Sequence, residues 1–197
     1  HVPNGVDVER FGAPVSSPRD VPVGGPIVGY HGMISHWFDF DLLAAVAARR
    51  PEFRFVLVGP TDPRVEDDAR EVERLANVTR LGERSSMLMP AYVHAFDVGT
   101  IWFQTDEMTM GVTPLKMFEY LAAGVPCVST PLPACVAQDG VTTSDEPQAF
   151  VEAIEAGLSA ETIERNRLRE IAAASDWSAV LAPALERLRE SGRGRVG

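Results

Sequence analysis

Lys116 and Glu119 stand three residues apart in a segment, GVTPLKMFEYLAAGVPCVSTPLP from Gly111 to Pro133, that reads as helix, tight turn and strand. Their charges do little for the helix. Lys116 falls in the first turn, where the macrodipole is already positive, and Glu119 lies beyond the turn that favours an acid. An exposed pair at this spacing contributes only about 0.2–0.5 kcal/mol. The Thr113 hydroxyl, the free N–H groups of the first turn and the Lys116 ammonium would together make a compact anion site. Glu119, one turn on, would accept hydrogen bonds from hydroxyls. Phosphates beside sugar hydroxyls describe a nucleotide. The plainer alternative is an amphipathic helix with one surface ion pair.

The elements that must hold these groups are legible around them. Pro114 fits the first helical position, where its missing N–H costs nothing, and Thr113 before it is expected as the N-cap. Leu115, Phe118 and Ala122, with Met117 and Leu121 beside them, give an apolar face at helical spacing. Gly124 is placed to end the helix. Val125 to Ser129 reads as a short buried strand, followed by Pro131 and Pro133, which break regular structure.

PLKMFEYLAAGVPCVSTPLP resembles the donor-binding segment of GT-B glycosyltransferases, in particular the family-four retaining enzymes. The resemblance implies that Glu119 binds the ribose hydroxyls of a sugar nucleotide. Such enzymes usually carry a second Glu eight positions earlier, facing the transferred sugar; here that position is Gly111. Glu107 or Asp106 in the preceding loop are the candidate substitutes.

The 197 residues carry a formal net charge of −10, with 45% hydrophobic and 23% charged residues. This is the composition of one ordinary globular domain, and its sign argues against non-specific binding to nucleic acid or an acidic membrane. Cys127 and Cys135 have neither metal nor disulfide spacing, and Cys127 is expected to pack as a small apolar residue. No signal peptide, spanning segment or internal repeat is evident. The absent initiator Met suggests a fragment.

Along the chain, residues 1–26 are expected to be a linker. Pro3, Asn4 and Gly5 read as a turn, and a Pro/Ser-rich stretch runs from Gly12 to Pro26. The pattern PNGVD-x-x-x-F resembles the segment joining the two halves of GT-B enzymes, which implies a missing N-terminal, acceptor-binding half. Ile27–His31 is the first strand, and a helix follows with Asp39 and Asp41 in its first turn, Arg49 and Arg50 in its last and Pro51 as the stop. Gly29-x-x-Gly32 is too short for a dinucleotide fingerprint. The family's usual diphosphate-gripping cations are missing from the loop Met33 to Phe38. His36 is the candidate substitute or else a packing residue, Ser35 either caps the helix or meets phosphate, and Trp37 either walls the site or packs in the core.

Phe53–Val58 is a second strand, covered on both faces. An acidic, solvent-facing helix is expected over Val65–Ala76, and Val78–Leu81 is a third strand ending at Gly82. The resemblance brings Glu83 and Arg84 towards the base; Arg84 either stacks there or is exposed. Met87–Ala95 reads as a short helix with Met87, Met89 and Tyr92 in the core. Asp97–Phe103 is a fourth strand, with Trp102 near its end. Gly140–Thr143 is a last short strand, and Glu146–Gly157 and Ala160–Ala174 are helices. Asp176 caps a third helix that ends near Glu190, with Trp177 near the junction to the missing half and 191–197 a tail.

Strands alternating with helices predict an α/β, Rossmann-like doubly wound parallel sheet, with 27–145 its core, which the resemblance makes nucleotide-sugar-binding, and 146–190 its C-terminal helices. Ligands of such sheets collect beyond the carboxyl ends of the strands, which puts Gly32, Gly82, the loop Gln104–Val112 and Thr113 on one rim. The resemblance then implies a donor-binding half of a GT-B glycosyltransferase that transfers a hexose-like unit with retention. Lys116 and Glu119 are its candidate catalytic residues; Gly32, Ser35, His36, Arg84, Thr113, Pro114, Leu115, Lys116 and Glu119 are the candidate binding residues. Lys116, Thr113 and helix amides would assist the departing diphosphate. With no Asp-x-Asp motif no metal or other cofactor is required, and the partners are the nucleoside diphosphate sugar and an acceptor glycan, lipid or small molecule. A cytoplasmic place is expected, with a peripheral position at the inner membrane face as its variant. A sugar-nucleotide epimerase and a non-catalytic relative are the alternatives.

Overall fold

A computed structural model describes residues 4–193 of the chain. Six strands form one sheet in the order β3-β2-β1-β4-β5-β6: β1 (Ile27–His31), β2 (Arg54–Val58), β3 (Val78–Gly82), β4 (Val98–Ile101), β5 (Cys127–Ser129) and β6 (Val141–Thr143). Every neighbouring pair is parallel. The four central strands are buried along almost their whole length, so their apolar runs show no in-out alternation; only the edge strands β3 and β6 reach partial exposure.

The helices fall into two groups by contact. α2 (Phe40–Arg49) packs with α3 (Glu66–Val72) and α7 (Pro147–Leu158). α5 (Leu115–Ala123) packs with α1 (Val8–Gly12), α4 (Met89–His94) and α8 (Thr162–Ala173). The short α6 (Pro133–Val136) leads into β6, and α9 (Trp177–Arg193) closes the described chain. Trp102, fully buried, stacks on Phe150 at 4.4 Å. Gly29 is needed where α4 ends against β1, since a Cβ there would lie 2.1 Å from the Phe96 ring.

Several expectations are corrected. The segment expected as a linker carries a helix: Asp7 caps α1 by accepting from the Arg10 amide, and Phe11 is buried. Val6 exchanges backbone bonds with Ser175 and Trp177, tying this segment to the start of α9. Pro3 lies outside the described residues. The acidic helix is shorter than expected and not simply solvent-facing, because Glu66 and Glu73 grip Arg80 of β3 at 2.7 and 2.8 Å. Met87 is 75% exposed rather than core. α9 runs to Arg193, past the expected end near Glu190, and the rest of the tail lies outside the described residues.

The β1–β4 pairing stops at Gly29↔Gly99. Beyond it the Tyr120 hydroxyl takes the place of a ladder bond, accepting from the His31 amide at 3.2 Å and donating to the Thr100 carbonyl at 3.3 Å. Tyr120→Phe strands that buried N–H and C=O and is expected to lower stability by about 1–3 kcal/mol. Urea unfolding followed by fluorescence checks this, and an unchanged midpoint would mean water replaces the hydroxyl.

Candidate nucleotide-binding cleft

β1 and β4 connect to helices in opposite directions along the sheet, so the carboxyl ends of these two strands flank a topological switch point. A cavity of about 620 Å³ opens there. Its walls include His31 and Gly32 from the end of β1, Trp37 from the following loop, Phe103 after β4, and Thr113 to Lys116 with Glu119 from the start of α5. Asn4 and Arg10 enter it from the N-terminal segment. A second recess of about 570 Å³ shares His31, Gly32, Ser86 and Met89 with the first and continues to Glu83 and Arg84.

α5 begins one residue later than expected. Pro114 is its N-cap, with extended ψ of 118°, and no side chain caps the helix. Thr113 is therefore not the cap; its carbonyl accepts from Asn4 Nδ2 at 2.9 Å, which ties the N-terminal segment to the rim. The helix ends as expected at Gly124, whose φ of 72° is the left-handed conformation that glycine adopts without strain.

Lys116 and Glu119 both face the cavity, but not as a simple pair. The Lys116 ammonium lies 4.9 Å from the centroid of Tyr30 and 4.7 Å from that of Phe103. Among the described residues no carboxylate is within ion-pair distance of it. Burial disfavours its charged form and outweighs the attraction of Glu119, pushing its pKa down to about 8. Glu119 instead approaches His31, with Oε2 3.1 Å from Nε2, while its side chain stays 23% exposed.

The other candidates divide. Gly32, Thr113, Pro114 and Leu115 line the cavity with Lys116 and Glu119. Ser35 does not: it is buried, its hydroxyl donates to Asp62 at 2.9 Å, and the helix cap falls to Asp39, which accepts from the Leu42 amide. Arg64 and Ser35 in turn hold the Asp62 carboxyl well below the usual carboxylate range. His36 is exposed and packs its ring on Trp37 at 4.9 Å, outside the lining. Arg84 lines the second recess, held by Asp20 at 2.9 Å and by the Tyr92 hydroxyl at 3.0 Å, so it is neither free nor simply exposed.

Asp106 turns inward on its own loop, accepting from the Met108 and Thr109 amides, and neither it nor Glu107 reaches the cavity wall. Among the described residues Glu119 is the one acid in that wall. His31, Arg10 and Asn4 were not singled out by sequence as site residues, Asn4 being read only as part of a turn. His31 looks like any strand end until β1 is set beside α5, and Arg10 sits on a helix too short to show periodicity. Among the described residues no group of three or more His, Cys, Asp or Glu side chains is arranged to hold a metal ion. Nor is any described helix long and apolar enough to cross a membrane.

Comparison with known proteins places the chain and its fold. Residues 25–160 match the family described as glycosyl transferases group 1. The chain is 31% identical over 187 residues to TuaH of Bacillus subtilis (strain 168), provisionally named a teichuronic acid biosynthesis glycosyltransferase; the match covers 90% of this chain and 47% of TuaH. Among solved structures, Anabaena HepE in complex with UDP and glucose superposes with a TM-score of 0.73 at 20% identity, covering 95% of this chain and 56% of HepE. Sucrose-phosphate synthase from Thermosynechococcus elongatus gives 0.74 at 19% identity, over 98% of this chain and 52% of its own. The chain belongs to the group 1 glycosyl transferases, and its α/β fold is the Rossmann-like half of the GT-B architecture. It spans about half the length of the relatives it matches.

The position of Lys116 has a cost that can be measured. Below pH 8 the folded and unfolded chains both carry the charge, and the fold bears the whole desolvation penalty. Between about 8 and the ordinary value of 10.5 the folded chain sheds the proton first, so the penalty fades. Lys116→Met is thus expected to raise stability at neutral pH, by about 0.5–2 kcal/mol, with the gain shrinking above pH 8. Urea unfolding on either side of pH 8 checks this. A variant less stable than wild type at neutral pH would mean that the two ring contacts outweigh desolvation.

Proposed function

We propose that this cleft binds a nucleoside diphosphate sugar as the donor for glycosyl transfer. The observation that carries the reading is the half-buried Lys116 ammonium at the uncapped N-terminus of α5, which among the described residues has no ion-pair partner and lies one helical turn from the lone carboxylate of the wall. A diphosphate satisfies both the ammonium and the free amides. Glu119, which accepts but cannot donate when ionised, suits a pair of ribose hydroxyls. As a diphosphate leaves, negative charge grows on its bridging oxygen, and donors already aimed at that place lower the barrier without reorganising. Lys116 and the α5 amides fill that role.

Family membership favours transfer over the epimerase alternative. Retention at the sugar carbon follows from the family-four resemblance. An acceptor glycan, lipid or small molecule would be supplied against the open side of the cleft, and the relatives' additional length leaves room for a domain that binds it. HepE was solved with UDP and glucose, which makes UDP the first nucleotide to try.

UDP, GDP and ADP are to be titrated by calorimetry in EDTA. At least one is expected to bind, weakly and without magnesium; no response at millimolar nucleotide would sink the site. Lys116→Ala is expected to weaken the diphosphate by about 1.5–3 kcal/mol and leave the matching nucleoside little changed. Equal affinity of variant and wild type for the diphosphate would place the phosphate grip elsewhere.

Glu119→Gln tests the ribose end. It keeps the size and one acceptor oxygen but loses the charge. A large loss for the ribonucleotide is expected, with little loss for its 2′-deoxy counterpart and a nearly unchanged Tm. Equal losses for both would move Glu119 away from the 2′-hydroxyl.

A further inference from the structure

Among the described residues, two buried side-chain nitrogens lack an aligned hydrogen-bond partner, His31 Nε2 and Trp37 Nε1, and both residues line the same cavity. His31 is the more informative. Its side chain is 8% exposed, and its Nε2 sits 3.1 Å from Glu119 Oε2 but out of line for a hydrogen bond. A buried donor without an acceptor costs free energy, so native folds retain few of them. Here the acceptor is already within reach, and a rotation of the carboxylate would complete the bond.

The ring itself is well fixed. It meets the Tyr120 ring edge-on at 5.2 Å, and its own backbone amide donates to the Tyr120 hydroxyl. Tyr120 follows Glu119 directly in α5, so one helix turn grips His31 through the Tyr120 ring and hydroxyl while presenting Glu119 to its imidazole. Glu119 is the movable member, partly exposed and with His31 as its close polar partner among the described residues.

We propose that His31 is the positioning residue for Glu119: Nε2–H holds one carboxylate oxygen and thereby turns the other oxygen and the remaining lone pairs towards the ribose hydroxyls. His31 touches no reacting atom in this scheme; it acts through Glu119. The inference rests on the reading of Glu119 as the ribose acceptor. It adds that selectivity for ribose over deoxyribose depends on a residue of β1 as well as on α5.

The test uses the 197-residue chain and the ratio of affinities for UDP and 2′-deoxy-UDP, or the matching pair for whichever base binds best. Wild type is expected to favour the ribonucleotide by about tenfold or more, as a hydrogen bond to a charged group allows. His31→Phe keeps an aromatic ring against Tyr120 but removes the donor. It is expected to bring the ratio to within about threefold of unity while 2′-deoxy-UDP affinity holds. His31→Gln, which restores an N–H near the position of Nε2, is expected to recover most of the preference. His31→Leu reads the same ratio should the Phe variant not fold. In the Glu119→Gln background, His31→Phe is expected to change the ratio no further. A wild-type ratio retained in the donor-less variants would overturn the proposal and leave His31 as a core residue. A wild type that does not distinguish the two nucleotides would remove Glu119 from the ribose, and this inference with it.

Discussion

The Tyr120 hydroxyl is the bond on which the cleft depends. A parallel sheet that reverses its winding direction must separate a pair of adjacent strands at their carboxyl ends, which leaves ladder groups unpaired in a buried place. Here the exposed pair would be the His31 amide and the Thr100 carbonyl, and Tyr120 closes both at once. Thr100 adds a side-chain bond to the Gly29 carbonyl at 2.9 Å, just below the opening. α5 can bring its tyrosine this far in because β4 presents Gly99, where a Cβ would lie 2.5 Å from the ring. Once Tyr120 is fixed, Glu119 must project towards the mouth, and Lys116, one turn earlier, must come up beside Gly32.

The groups around that mouth are not matched to one another. Lys116 rests on two aromatic faces instead of a carboxylate, and His31 Nε2 and Trp37 Nε1 are buried without an aligned hydrogen-bond partner. A contrast lies close by. Arg80 is bracketed by two glutamates, Arg84 by Asp20 and Tyr92, and Ser35 by Asp62. The fold is thus able to satisfy its polar groups and does so along the β2–β3 edge. Where it leaves them unmatched, they converge on one cavity, as expected when local stability is given up for a ligand.

Much of this was legible because it depends on local rules. The helix-ending glycine at 124 and the buried strands follow from backbone sterics and hydrophobic pattern alone, whereas Asp39, expected inside the first turn, proves to be the cap. Lys116 and Glu119 stood out because their charges run against the helix dipole. What escaped was tertiary. Whether Ser35 caps a helix or meets an anion depends on Asp62, 27 residues away, and Arg84 is claimed by Asp20, 64 residues back. α1 has only five residues, too few for a period to show, yet it delivers Arg10 and a buried Phe11 to the cleft. The plainer alternative, a Lys116–Glu119 surface pair, does not form because the strand order sets His31 beside the acid, and no window of sequence contains that pairing.

On the proposed reading, Gly111 bears on the opposite end of the donor. A side chain built there would meet no atom within 4 Å, so packing does not forbid a larger residue. The second acid that the family resemblance leads one to expect is therefore absent for a reason other than space. Neither neighbouring loop acid replaces it, since Asp106 is engaged by its own turn and Glu107 lies off the wall. What the cavity offers on this side instead is Met108, Val112, Phe103 and Trp37. On the proposed reading, recognition by charge is concentrated where α5 and Arg10 line the cleft, and the apolar stretch of wall discriminates by shape and contact, which rewards fit far more weakly than a paired carboxylate does. On the proposed reading, then, the nucleotide end of the donor is held firmly and the sugar end is held loosely.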